Sequence, residues 1–338
     1  MKMTLTGLKD DPADPLLFSR RQFLLGLGAV AASSAVPVKA SARVLDPPLY
    51  PPVDLSYFNR PITPAPGLLR FGYAAITWNG NDVQAIADIS ELGFPGIQLR
   101  SNILKDFGNR PAALRDLLDQ NHLEMVALSS GGISITLGSE SDQIAKHVHN
   151  ARFVHDVRGH YLQVTDSARP KGRKPEAADF KQVGRVLGEI GKQAIDLGVP
   201  VGYHNHMGSL GEAPDEVDRI MDATDPRYVK LELDIAHYQQ GGGDPARAIR
   251  QYHDRLLFLH IKDVESMATA DERGRAYRWV ELGRGRVDLP SVFAALEDVG
   301  FRGWAVIELD SVTDKSRTPK ECAQISKEYL EHKLKMKI

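Results

Sequence analysis

Eight short apolar runs that alternate with stretches of helical period constrain this 338-residue chain more than any other feature. The runs are Phe71 to Ile76, Gly96 to Leu99, Met125 to Leu128, Tyr161 to Thr165, Val199 to Tyr203, Val229 to Leu233, Leu256 to Ile261 and Trp304 to Leu309. Helix-period segments lie between them, among them Asp82 to Leu92, Gln143 to Val157, Phe180 to Leu197, Asp215 to Met221, Pro245 to His253 and Leu289 to Val299. A strand that is apolar throughout must be covered on both faces, which is the situation in a parallel sheet flanked by helices. Eight such units in about 270 residues predict an α/β fold, a closed (β/α)8 barrel. The competing arrangement is an open doubly wound sheet, and no Gly-x-Gly-x-x-Gly follows the first run to mark its dinucleotide site.

The barrel accounts for residues 67–338, and the preceding residues read differently. Ser19-Arg20-Arg21-Gln22-Phe23-Leu24, an apolar stretch from Leu25 to Ala32 and Ala40-Ser41-Ala42 form a charged, apolar and small-residue sequence of export type over 1–42. The paired arginines resemble the twin-arginine signal, which predicts a periplasmic protein. The apolar stretch is too short for stable membrane insertion. Residues 43–66 carry seven prolines and predict an extended arm. With 42 Lys and Arg against 44 Asp and Glu, and no long single-sign block, no nucleic-acid partner is expected. The single cysteine, Cys322, excludes an intramolecular disulfide and predicts a buried, inert thiol.

In a parallel barrel the βα loops meet at the C-terminal ends of the strands. The last four runs end in Tyr203-His204-Asn205-His206, Leu233-Asp234-Ile235-Ala236-His237, Leu259-His260-Ile261-Lys262-Asp263 and Ile307-Glu308-Leu309-Asp310. Imidazoles and carboxylates converging from separate strands suit one divalent ion, Mn, Zn, Co or Fe, better than Mg or Ca. Asp263 and Asp310 read as caps of the helices that follow. His147, His149, His155 and His160 read as solvent-facing. Arg284 and Arg286, in the loop Gly283-Arg284-Gly285-Arg286, are candidates to grip substrate. The amphipathic segment Lys320 to Lys333 fits either the side of the barrel or a homodimer contact.

Together with Glu232-Leu233-Asp234, Gly283-x-Gly285-x-x-Asp288 and Gly303-Trp304-Ala305-Val306-Ile307-Glu308, these strand ends resemble the xylose-isomerase-like sugar phosphate isomerase/epimerase superfamily. Its inosose dehydratase and ketose epimerase branches share the pattern, and the resemblance spans 68–315. It implies a metal held by His204, Asp234, His260 and Glu308, with His206 as the alternative to His204. The epimerase branch has glutamate where this chain has His204, and many relatives have glutamate at Gln98. Fewer carboxylates around a retained metal point away from two-base epimerisation and toward a lyase. His237 and Lys262 then become the expected proton carriers or enolate stabilisers, their pKa values lowered by metal and burial, while His206 and Gln98 touch substrate.

The resemblance and the export signal together imply a keto-sugar, keto-glycoside or inositol as the small-molecule partner, a lyase or isomerase reaction, and an oxidoreductase that makes the ketone. A ketose epimerase and a non-catalytic periplasmic sugar-binding barrel are the alternatives. The superfamily's DNA-repair enzymes need a basic groove and further His and Glu ligands that the chain does not display.

Overall fold

The computed structural model describes residues 69–272 and 274–338. The expected export signal and proline-rich arm lie outside the described residues. Strands β1 (Arg70–Ala74), β2 (Gly96–Arg100), β3 (Glu124–Gly132), β4 (Tyr161–Thr165), β5 (Val201–His204), β6 (Val229–Asp234), β7 (Leu256–Ile261) and β10 (Trp304–Ile307) close into a barrel. Their order is β1-β10-β7-β6-β5-β4-β3-β2, and each pairing is parallel. The open-sheet alternative is thereby excluded.

Helices α1 (Asp82–Glu91), α2 (Leu104–Phe107), α3 (Pro111–Gln120), α4 (Glu140–Val157), α5 (Ala177–Ile195), α6 (Pro214–Asp222), α7 (Ile235–Gln240), α8 (Pro245–Gln251), α9 (Leu289–Asp298) and α10 (Pro319–Glu328) follow the strands. Two elements were not among the expected ones. Helix α3 starts on Pro111 at its first turn, where a missing N–H costs nothing. After β7 the chain makes an antiparallel hairpin, β8 (Asp263–Ser266) and β9 (Tyr277–Val280).

Strand alternation sorts side chains into two layers. Along β10, Trp304 and Val306 join Phe258, Val126, Ala127 and Ala74 in a small cluster, whereas Ala305 and Ile307 join the large cluster beneath the helices. The small cluster is the floor of the barrel interior. Gly96 leaves room for it, since a Cβ there would lie 2.4 Å from the Trp304 ring. With the lower interior filled by hydrocarbon, the polar strand ends are confined to the C-terminal mouth.

Outside the barrel, α10 packs along its side: Lys327 donates to the Leu92 carbonyl at 2.5 Å, and Ser326 accepts from Leu282 N–H at 3.3 Å. Cys322 is fully buried in this helix, and burial pushes its thiol up to about 12. His147 corrects the expectation of a solvent-facing residue. It shares the core face of α4 with Asn150, Ala151 and Val154, and its Nδ1 lies 2.6 Å from the Ser130 hydroxyl. Among the described residues, no helix is long and apolar enough to cross a membrane.

Candidate metal centre at the barrel mouth

Backbone hydrogen bonding ends at His204 and Asp234, but β5 and β6 stay locked together one step further. Asn205 donates from its amide to the Asp234 carbonyl at 3.1 Å and accepts from Asp234 N–H at 2.9 Å. Asp234 also caps α7, its Oδ1 accepting from the N–H groups of Ala236 and His237 at 2.9 and 2.8 Å. That leaves Oδ2 buried without a hydrogen-bond partner, as are Nδ1 of His204 and Nδ1 of His260. His204, Asp234 and His260 each offer an atom within 4.8 Å of the others.

These atoms fit a cation. His260 Nε2 donates to Gln98 Oε1 at 2.8 Å, and the Gln98 amide donates onward to Gln163 at 2.8 Å. His260 Nδ1 therefore faces Glu308 Oε2 at 3.0 Å and Asp234 Oδ2 at 3.7 Å. A nitrogen lone pair cannot rest against two carboxylate oxygens unless positive charge lies between them, as a proton or a metal ion. Burial alone would push His260 down, but Glu232 and Glu308 outweigh it and raise the ring to about 9. Mixed imidazole and carboxylate donors suit Zn, Mn, Fe or Co.

Glu232 is the residue that sequence reasoning quoted without assigning a role. Fully buried, it has one oxygen 3.0 Å from His204 Nδ1 and the other 3.0 Å from His260 Nε2, with neither in a directed hydrogen bond. It therefore supplies a carboxylate behind the very position where the epimerase branch is expected to carry one. Its signal was the inward alternation Lys230, Glu232, Asp234 along β6.

Lys262 is fully buried, with Nζ 3.0 Å from Glu308 Oε1, 2.5 Å from Asp310 Oδ1 and 3.2 Å from His237 Nε2. Burial disfavours its charge, but Asp310, Glu308 and Asp234 outweigh burial and hold the ammonium above the usual lysine range. This corrects the expectation of a lowered lysine pKa. His237 does move down, far below the usual value, through burial and then Lys262. Its Nδ1 accepts from Met207 N–H at 3.0 Å, and its Nε2 faces the Lys262 ammonium at 3.2 Å. His206 donates from Nδ1 to the Met207 carbonyl at 2.7 Å, and its ring centre lies 3.9 Å from that of His237 with the planes tilted by 35°. Burial, followed by His204 and Lys262, lowers His206 to about 4.

The expected helix-capping roles of Asp263 and Asp310 are not what the structure contains. Asp263 accepts N–H bonds from Val264, Gly283, Gly285 and Val287, and α9 is capped by Asp288 instead. Asp310 pairs with Lys262, and α10 is capped by Thr318. Nor do Arg284 and Arg286 line the cavity beside the candidate ligands. Arg284 is paired with Glu281 at 3.8 Å, and Arg286 donates to Gln240 at 2.5 Å. One guanidinium at the mouth belongs to Arg100. It lines a cavity of about 210 Å3 together with Gln98, His204, His206, Glu308 and Asp310.

A closed parallel barrel with imidazole and carboxylate groups at its C-terminal mouth defines a class of small-molecule TIM barrels, and residues 86–331 match the family described as xylose isomerase-like TIM barrel. The chain belongs to this family. Among curated proteins it is similar to the inosose dehydratase of Lacticaseibacillus casei, 26% identical over 294 residues that cover 78% of this chain and 96% of that one. Among solved structures it resembles the IolI protein with a bound zinc atom, at TM-score 0.66 and 18% identity over 78% of this chain and 97% of that one. It also resembles a D-allulose 3-epimerase from Methylomonas sp., at TM-score 0.61 and 18% identity over 78% and 97% of the two chains.

Proposed function

We propose that this protein is a divalent-metal-dependent enzyme that removes a proton next to a ketone of a keto-sugar, keto-glycoside or inositol and then expels the group on the adjoining carbon. The observation that carries the reading is the set of buried, unpartnered donor atoms on His204, Asp234 and His260, with a charged lysine beside them. The similarity to inosose dehydratases supports elimination. Glu308 completes the set that would hold the ion, and a bound divalent ion supplies Lewis acidity that makes a C–H beside a carbonyl acidic.

The chain's own groups divide the remaining work. Lys262, fixed as an ammonium, places a second positive charge where the enolate develops. Asp310 faces the cavity, and burial raises its carboxyl against the pull of Lys262. It takes the proton from carbon as that C–H pair becomes the new double bond. The C–O bond of the leaving group then breaks with its electron pair going to the departing oxygen, which takes from Asp310 the proton that Asp310 removed from carbon. Two-base epimerisation is disfavoured because the groups on the β2 and β4 side are the amides Gln98 and Gln163, which carry no transferable proton.

The Arg20-Arg21 signal supports a periplasmic site for this reaction, with the ketone made by a separate oxidoreductase. Sequencing the N-terminus of the protein from a periplasmic fraction checks the address, with a start near residue 43 as the expected result. The reaction is tested by elemental analysis with and without chelator, paired with assays for aglycone release from a 3-keto-glucoside and water loss from inosose. About one equivalent of metal per chain and chelator-sensitive release are expected. Metal-free protein that binds sugar and turns over neither substrate would leave a recognition barrel. Deuterium exchange into recovered ketose without loss of any group would leave an epimerase.

A further inference from the structure

The mouth has two lobes that differ in size and chemistry. The first is the cavity of about 210 Å3 beside the candidate metal ligands, which is smaller than a typical pocket of about 300–1,000 Å3. Amide, guanidinium, imidazole and carboxylate groups line it, which suits one hydroxylated ring. The second, about 530 Å3, lies under the β8–β9 hairpin and is lined by Tyr277, Trp279, Met207, His237 and Arg275. His206 and Asp310 line both lobes and so mark the junction.

The hairpin lobe is built for flat apolar contact. The Trp279 and Tyr277 rings meet at 5.1 Å and 62°, and Trp279 abuts the His237 ring at 4.4 Å. Charges nearby are already engaged: Arg275 pairs with Asp271 at 2.7 Å, and Glu212 accepts from Gly208 N–H at 2.7 Å. Two aromatic rings, a thioether and an imidazole offer ring contact and dispersion in place of hydroxyl recognition.

We infer that the hairpin lobe is a second subsite that takes a ring, aryl or pyranose, joined to the sugar in the small lobe, so that the substrate is a conjugate and not a free keto-sugar. This rests on the elimination reading. It puts the bond to the leaving group at the junction, between His206 and Asp310, and makes the leaving group the occupant of the larger lobe.

Calorimetry on the Mn-loaded protein, with phenyl β-glucoside, cellobiose and methyl β-glucoside as probes, tests the inference without requiring turnover. Burying and stacking the extra ring predicts that phenyl glucoside or cellobiose binds at least about tenfold tighter than methyl glucoside. The tighter of the two identifies the ring. Tyr277→Ala, and separately Trp279→Ala, should each shrink that preference by about three- to tenfold, the worth of one aromatic contact. Equal binding of the methyl and ring-bearing probes overturns the inference, as does a preference that neither variant changes. Preference without turnover of any keto-glycoside would leave the subsite standing and refute the reaction. Turnover of methyl 3-keto-glucoside without any ring preference would do the reverse.

Discussion

Lys262→Met separates the two jobs of the buried ammonium, holding the mouth together and shaping its charge. In the wild type the Lys262 ammonium lies 3.0 Å from Glu308, 2.5 Å from Asp310 and 3.8 Å from Asp234, with no exposed surface. Methionine keeps the length of the side chain but leaves these carboxylates facing one another across an apolar thioether. Removing one partner of a buried ion pair costs about 3–5 kcal/mol, and that loss is expected in chelator at pH 8. Without the ammonium, Glu308 and Asp310 hold protons to higher pH in the folded protein than in the unfolded chain. The loss therefore grows as pH rises through the carboxylate range and disappears in acid. A divalent ion relieves the same repulsion. At a hundred times its dissociation constant it stabilises any folded protein that binds it by about 2.7 kcal/mol. The increment at one fixed Mn concentration should be larger in the variant, whose carboxylates no longer share their charge with Lys262. Urea denaturation of both proteins, in chelator and in Mn, measures all four stabilities. Equal stability of the two proteins in chelator at pH 8, or equal gains from Mn, would refute the reasoning.

Three further perturbations probe the supporting structure. Glu232→Gln keeps the shape behind His204 and His260 but removes the charge, and should weaken metal binding about 10–100-fold in a chelator competition while the fold is retained. Burial raises Asp166 to about 6 although it accepts from Tyr203 OH and the N–H groups of Leu210 and Gly211. The folded protein thus keeps this proton to higher pH than the unfolded chain. Wild type should gain about 2 kcal/mol over Asp166→Asn as pH falls from 6 to 4, read from paired denaturation curves. On α5, a Cβ at Gly191 would lie 2.4 Å from the Tyr228 carbonyl oxygen, whereas one at Gly188 meets nothing within 4 Å. Gly191→Ala should cost about 1–3 kcal/mol and Gly188→Ala should stabilise by about 0.8 kcal/mol, opposite shifts in a thermal melt.

The barrel strands were legible because each is covered on both faces, which writes them as unbroken apolar runs. His204, Asp234, His260 and Glu308 were legible as polar ends to those runs. What escaped depends on partners that are distant in sequence. Asp310 looks like a cap until Lys262, 48 positions earlier, is brought against it. Asp263 looks the same until Gly283, Gly285 and Val287 fold back onto it. Glu232 is hidden because an inward strand position normally holds hydrocarbon, and its neighbours His204 and His260 come from other strands. His147 was a failure of pattern reading. Residues 147, 150, 151 and 154 have helical core spacing, and a histidine with asparagine at the first two disguised it. The hairpin was missed because strands of four residues lying over a polar mouth have neither a long apolar run nor a sheet partner within the barrel.

The carboxylate of Asp263 has a further consequence. It binds the N–H of Val264, where the hairpin leaves the barrel, and those of Gly283, Gly285 and Val287, where the chain returns toward α9. One side chain thus clasps both roots of the insertion, and none of the candidate ligands lies between them. An insertion tied off in this way can be shortened or lengthened beyond Trp279, whose ring packs on Lys262 and His237, while the candidate ligands stay in place. Diversification of what the barrel accepts is thereby uncoupled from preservation of what it does to it.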